Sequence, residues 1–160
     1  MYQPNYHKSW ALIIGINKYQ KASPLSFARN DAEAIHRTLI EKFAFQEENI
    51  TLLLDETATR ATVLDSFIQL VQGSVNPNDR VFVFFAGHGH TFTGKRGEVG
   101  YLVPVDGTPE NLATLIRWDE LTRNADLIPA KHVLFIMDAC YGGLALTRSA
   151  GPGRARFLMH

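Results

Sequence analysis

Three stretches of the chain are almost uninterruptedly apolar: 10–16 (WALIIGI), 81–86 (VFVFFA) and 132–137 (HVLFIM). Each is rich in β-branched or aromatic residues and none alternates with polar positions, the pattern of strands covered on both faces. A shorter run at 50–54 (ITLLL) reads the same way. Between the first runs, Ala28, Ala32, Ile35, Leu39 and Phe43 recur at intervals of three and four, which places them on one face of a helix. After Thr59, the residues Leu64, Phe67, Ile68 and Val71 form a second such face, closed by Gly73 as a C-cap. A third, shorter helix is predicted from Asp119 to about Asp126, stopping before Pro129.

Strand, helix, strand, helix, strand, a longer polar segment, helix, strand: this order predicts an α/β fold. Its form is a three-layer α-β-α sandwich with a mostly parallel central sheet and four main strands. The segment 91–106 carries Gly94, Gly97, Gly100 and Pro104, and reads as an irregular excursion with a small hairpin around Tyr101-Leu102-Val103. Residues 141–160 combine four glycines and a proline with Arg148, Arg154 and Arg156 and no acid. Residues 1–147 are therefore expected to form one domain, and 148–160 a flexible basic linker or tail.

Composition narrows the class. With 160 residues, 46% hydrophobic and 20% charged, the chain is long enough for one real core and short for two typical domains. Sixteen basic residues balance sixteen acidic ones, so charge gives no argument for nucleic acid or an anionic membrane as partner. Cys140 is the single cysteine, which excludes an internal disulfide and a multi-cysteine zinc site, and fits a reducing compartment. Residues 1–10 lack a signal-type apolar segment, and no apolar run reaches a membrane span. A cytoplasmic protein is expected.

In open parallel sheets, ligands bind beyond the carboxyl ends of the strands. The polar residues there are Asn17-Lys18, Asp55-Glu56, Gly87-His88-Gly89-His90, and Asp138 through Gly143. Taken alone, His88 is a turn histidine between glycines, and Cys140 is a small residue finishing a core strand. Together they belong to one edge of one sheet, where a histidine and a cysteine on neighbouring strands can face each other. A thiol acts as a nucleophile when a base or cation stabilises its thiolate, and an acid must protonate the leaving amine. Histidine serves both needs near neutral pH. Glycine-flanked backbone can approach a substrate closely, so an N–H beside His88 and that of Cys140 can converge on an oxyanion.

The segments Phe84-Phe85-Ala86-Gly87-His88-Gly89 and Asp138-Ala139-Cys140-Tyr141-Gly142-Gly143 resemble the two catalytic motifs of the caspase-like cysteine peptidases. Cys140 lies 52 residues after His88, close to the roughly 50 that caspases show. Asp138 stands where caspases carry glutamine, and in this the chain is similar to the metacaspases and their bacterial relatives. Asn30-Asp31-Ala32 and Tyr101-Leu102-Val103-Pro104-Val105-Asp106 also resemble metacaspase patterns, whereas Ala86 replaces a frequent serine.

The resemblance implies His88 as general acid/base, Cys140 as nucleophile, and the N–H groups of Gly89 and Cys140 as the oxyanion hole. It implies Asp31 and Asp138 as walls of the primary specificity pocket. Two carboxylates favour arginine or lysine, bind arginine bidentately, and repel the aspartate that caspases select. The expected substrate is a peptide or protein with Arg or Lys before the scissile bond. The chemistry requires no cofactor and no metal. Some metacaspases need calcium, but no calcium-loop motif is present to support such activation. His88, His90 and Cys140 make only a weak zinc triad, and Gly94, Gly97 and Gly100 a weak phosphate cradle.

Caspase-like domains have six main strands and this pattern yields four, the portion corresponding to the large subunit. A small-subunit segment or another chain is expected to complete the sheet beside the fourth strand. Arg148, Arg154 and Arg156 follow the nucleophile and are candidate self-cleavage sites. The function expected is a Cys-His endopeptidase, with a catalytically silent caspase-like scaffold as the alternative.

Overall fold

The computed structural model describes residues 5–140 and 155–159. In chain order its elements are β1 (Ser9–Gly15), α1 (Ala28–Phe43), β2 (Ile50–Leu54), α2 (Arg60–Gln72), β3 (Arg80–Gly94), β4 (Gly97–Leu102), β5 (Ile116–Arg117), α3 (Trp118–Ala125), β6 (His132–Cys140) and β7 (Ala155–Met159). Five strands run parallel in the order β2-β1-β3-β6-β7. The outer half of β3 carries an antiparallel extension made of β4 and β5.

Period-two alternation divides each central strand between two cores. Leu12 and Ile14, Val81, Val83 and Phe85, and Val133, Phe135 and Met137 face α2 and α3, whose Val63, Phe67, Leu70, Leu121 and Ala125 cover them. Ala11 and Ile13, with Phe82 and Phe84, face Ala28, Ala32 and Leu39 of α1, and Leu134 and Ile136 border that cluster. This is the three-layer sandwich that the runs predict. Complete burial of a side chain such as Phe67, Phe85 or Phe135 contributes about 1.5–3 kcal/mol each. Gly15 lets α1 dock closely: a Cβ there would sit 2.5 Å from the Ala32 Cβ and 2.7 Å from the Ala28 carbonyl oxygen.

Several elements depart from the pattern. β2 is an edge strand with only Leu53 buried, because β1 pairs it on one side alone. α1 ends in a left-handed Ala44 (φ 56°), which leaves Phe43 51% exposed and turns Phe45 into the core instead. The buried face of α2 is centred on Val63, Phe67 and Leu70, with Leu64 and Val71 on its flanks and Ile68 exposed. The excursion after residue 90 is a regular β3–β4 hairpin turning through Lys95 and Arg96, with Gly97 at φ +115°.

The largest correction concerns the end of the chain. Residues 155–159, read from composition as part of a flexible tail, form β7, paired in parallel with β6 from Val133↔Ala155 to Met137↔Met159. The edge expected to await a partner is thus occupied by the chain itself. Among the described residues no helix is long and apolar enough to cross a membrane.

Candidate active site

Gly87-His88-Gly89 and Asp138-Ala139-Cys140 are strand, where loops beyond the strand ends were expected. β3 continues through Gly87, His88 and Gly89, and β6 through Asp138 to Cys140. The parallel ladder joining them ends at His88↔Cys140, so the two Cα atoms are lateral neighbours at the carboxyl edge of the central strands. The backbone thus brings together the histidine and the cysteine that the sequence singled out.

His88 is half-buried and held on several sides. Its Nε2 lies 2.8 Å from the Ser23 carbonyl oxygen and 3.4 Å from Ser23 Oγ. A carbonyl can only accept, so Nε2 carries the proton and Nδ1 is the nitrogen left for proton transfer in the neutral ring. The His88 N–H donates to the Tyr19 hydroxyl at 2.7 Å, and its carbonyl accepts from Val103 N–H at 3.0 Å. The Tyr19 and His88 rings stand 4.8 Å apart, centroid to centroid.

Backbone parity extends this. The Ala86 carbonyl accepts from Ile16 N–H, and both backbone groups of His88 point to that same side, toward Tyr19 and Val103. Amides alternate along a strand, so the Gly89 N–H faces the opposite side, the edge that carries β6.

The β1–α1 segment that supplies Tyr19 and Ser23 is anchored by Asp55, at the end of β2. Asp55 is buried, has φ 44°, and accepts the N–H groups of Asn17 (2.8 Å) and Lys18 (2.9 Å) on Oδ1. Its Oδ2 takes Arg29 Nη1 at 3.0 Å. Burial by itself would raise its pKa, but the two amides and the guanidinium outweigh burial and hold the carboxyl below the usual range. Beyond Tyr19, Gln20 N–H donates to the Val105 carbonyl at 2.9 Å.

Asp138 is exposed, two residues before Cys140, and pairs with Ala86, which in turn pairs with Gly15. Alternation from Leu134 and Ile136 sets it on the α1 face of the sheet. Asp31 is exposed in the first turn of α1, the turn that packs on Gly15. Both acids therefore border the α1 side of the same carboxyl edge. Beside His88 opens a cleft of about 330 Å³, bounded by Lys21, Ser23, His90, Pro109 and Glu110 among others. Among the described residues no group of three His, Cys, Asp or Glu side chains could hold a metal ion. Arg148 and Arg154 lie outside the described residues, and Arg156 sits in β7 opposite Leu134.

Sequence reasoning gave no role to Tyr19 or Ser23, because a carbonyl and a hydroxyl reaching across 65 and 69 residues leave no local motif. Asp55 stood among the strand-end polar residues, but nothing in the sequence linked it to the loop it anchors.

Comparison with known proteins agrees with this architecture. The caspase-domain model of the C14 peptidases matches residues 8–155. Metacaspase-1 of Eremothecium gossypii is 32% identical over 148 residues, covering 85% of this chain and 32% of that protein. Metacaspase-6 of Arabidopsis thaliana is 30% identical over 145 residues, covering 83% and 38%. The chain thus spans about a third of the length of these curated relatives. Among solved structures, protein GSU0716 from Geobacter sulfurreducens superposes with a TM-score of 0.68 at 23% identity, over 86% of this chain and 52% of that one. A structure described as pro-sf-caspase-1 gives 0.56 at 20% identity, over 99% and 62%. These two share the fold, and the matched family model places the sequence: this chain belongs to the caspase-domain family of C14 cysteine peptidases.

Proposed function

We propose that the chain carries the Cys-His dyad of a cysteine endopeptidase that cleaves after arginine or lysine. The observation that carries the reading is the His88↔Cys140 pairing at the carboxyl edge of the sheet, beside a cleft that His88 lines. In this scheme Nδ1 of His88 takes the thiol proton of Cys140, and the thiolate attacks the scissile carbonyl carbon. The oxyanion receives the N–H groups of Gly89 and Cys140, and the imidazolium returns its proton to the leaving amine. Water, deprotonated by the same imidazole, then hydrolyses the thioester and frees the enzyme.

Asp31 and Asp138 are the proposed recognition groups for the basic side chain, two exposed carboxylates on one face of the edge. Self-processing after Arg148 or Arg154 fits the same preference. A bond after Arg156 lies within the β6–β7 ladder and must leave it to be cut, because a paired strand cannot enter a cleft. A further segment or chain completing the sheet would add outside β7. A cytoplasmic location is proposed with this activity.

The test is turnover of an arginyl fluorogenic peptide by the wild-type chain and by Cys140→Ala. Arginyl turnover abolished in Cys140→Ala is expected, with aspartyl peptides left uncut. Preference for aspartyl peptides would remove the roles of Asp31 and Asp138. Identical traces for wild type and Cys140→Ala would leave the silent scaffold as the better reading.

A further inference from the structure

Tyr19 sits where β1 has ended, alongside β3, and its hydroxyl and its ring both meet His88. We propose that Tyr19 is a positioning residue for His88, its hydroxyl fixing the His88 backbone amide while its ring backs the imidazole. This rests on the dyad reading above and adds to it a group outside both motifs.

Three observations converge on the role. The hydroxyl takes the His88 N–H at 2.7 Å, at the one residue whose ring must hold its orientation through two proton transfers. The ring centroids are 4.8 Å apart, so tyrosine restrains the imidazole on one side while the Ser23 carbonyl takes Nε2–H on the other. Space is matched to this arrangement: a Cβ on Gly87 would lie 2.5 Å from the Tyr19 hydroxyl oxygen and 3.0 Å from the Phe85 ring. Gly87 thus makes room for the tyrosine, which gives the first glycine of the Gly-His-Gly motif a job unrelated to binding an oxyanion.

The tyrosine is itself fixed from both neighbours, through Lys18 N–H on Asp55 and Gln20 N–H on Val105. Burial foremost, and the nearby Asp55 charge, push its phenol well above the ordinary range, so it keeps its proton while the His88 amide donates to it. The His88 N–H is thus occupied and turned away from β6, which leaves it no part in holding an oxyanion.

The experiment uses the single thiol of the chain. Alkylation of Cys140 by iodoacetamide, followed against pH by mass spectrometry, reports thiolate formation at one atom and needs no substrate. Wild type, Tyr19→Phe, Gly87→Ala, the double variant and His88→Ala are compared, each checked for folding by circular dichroism. Tyr19→Phe is expected to move the profile toward that of His88→Ala. It is also expected to lower kcat on the arginyl peptide by ~10- to 100-fold with KM within about twofold, the scale of a misplaced catalytic group. Gly87→Ala, which displaces the same hydroxyl, should match it, and the double variant should be no worse than Tyr19→Phe alone.

A folded Tyr19→Phe with a wild-type alkylation profile overturns the proposal, whatever turnover does. So does simple multiplication of the two single losses in the double variant. His88→Ala separates the two kinds of failure. If its profile equals wild type, there is no dyad and the inference falls with it. If its profile changes while that of Tyr19→Phe does not, the tyrosine alone is dismissed.

Discussion

Replacing Asp55 by asparagine tests how the loop beside the site is held. Asparagine is the informative choice because Asp55 has φ 44°, a left-handed conformation that Asn adopts readily and that would strain alanine. The amide oxygen still accepts from Asn17 and Lys18, but both bonds change from charge-assisted to neutral. Charge-assisted bonds contribute about 1.5–3 kcal/mol and neutral ones about 0.5–1.5, so two such changes cost roughly 2 kcal/mol. Arg29 is partly exposed, so solvent screens its ion pair with Asp55 and that contact adds little.

Urea unfolding at pH 7 should therefore show a lower midpoint, an unchanged slope, and a stability loss near 2 kcal/mol. The pH dependence has a definite sign. The folded-state pKa of Asp55 is depressed, so its contribution is fully present above the unfolded carboxylate value of about 3.9 and is lost as pH falls through the lower folded value. The difference between wild type and Asp55→Asn should be constant from pH 7 to 5 and shrink below about pH 4. A loss under about 0.5 kcal/mol at pH 7, or one that persists undiminished to pH 2.5, refutes the reasoning.

Four other substitutions probe the fold by the same measurement. Gly15→Ala drives a Cβ into the Ala32 Cβ and the Ala28 carbonyl, and should cost about 1–3 kcal/mol as overpacking. Phe45→Ala should cost about 3–5 kcal/mol and Phe43→Ala less than about 0.5, and the reverse order would place the α1 terminus wrongly. Asp79, buried at the start of β3, accepts the amides of Lys8 and Asn76 and the Trp10 indole N–H. Asp79→Asn should likewise lose its effect below about pH 4, because those donors overcome burial and hold the carboxyl low, and its loss should add to that of Asp55→Asn from the opposite end of the sheet.

Much of this molecule was legible because its strongest signals are local. WALIIGI, VFVFFA and HVLFIM became β1, the inner half of β3 and most of β6, since unbroken apolar runs have no other comfortable place than between two helical layers. The spacing from Ala28 to Leu39 gave α1 correctly, yet missed that Ala44 turns left-handed and exchanges Phe43 for Phe45, a choice made by the core and not by periodicity. β7 was hidden by glycine, proline and arginine in the residues before it. Five residues of strand become visible only when β6 supplies the partner. In the site, His88 and Cys140 were legible because each follows an apolar run, His88 between two glycines and Cys140 as the single cysteine of the chain. Tyr19, Ser23 and Asp55 were not, because each acts through one long-range hydrogen bond or one backbone turn.

That Gly87-His88-Gly89 is strand has a consequence for its spacing. In a ladder, parity fixes both where a side chain stands and which way its amide points. Ala86 and His88 direct their backbone groups to the β1 side, to Ile16, Val103 and Tyr19, and Gly89 directs its own toward β6. Inserting one residue between Ala86 and His88 would reverse every assignment at once. The imidazole would pass to the α2 face, its amide would leave Tyr19 for the β6 edge, and the residue after it would lose the β6-facing N–H. A loop could absorb such an insertion by bending. A strand held by β1 and β6 up to Ala86 and His88 cannot, so Gly-His-Gly is a constraint of register as much as of residue type.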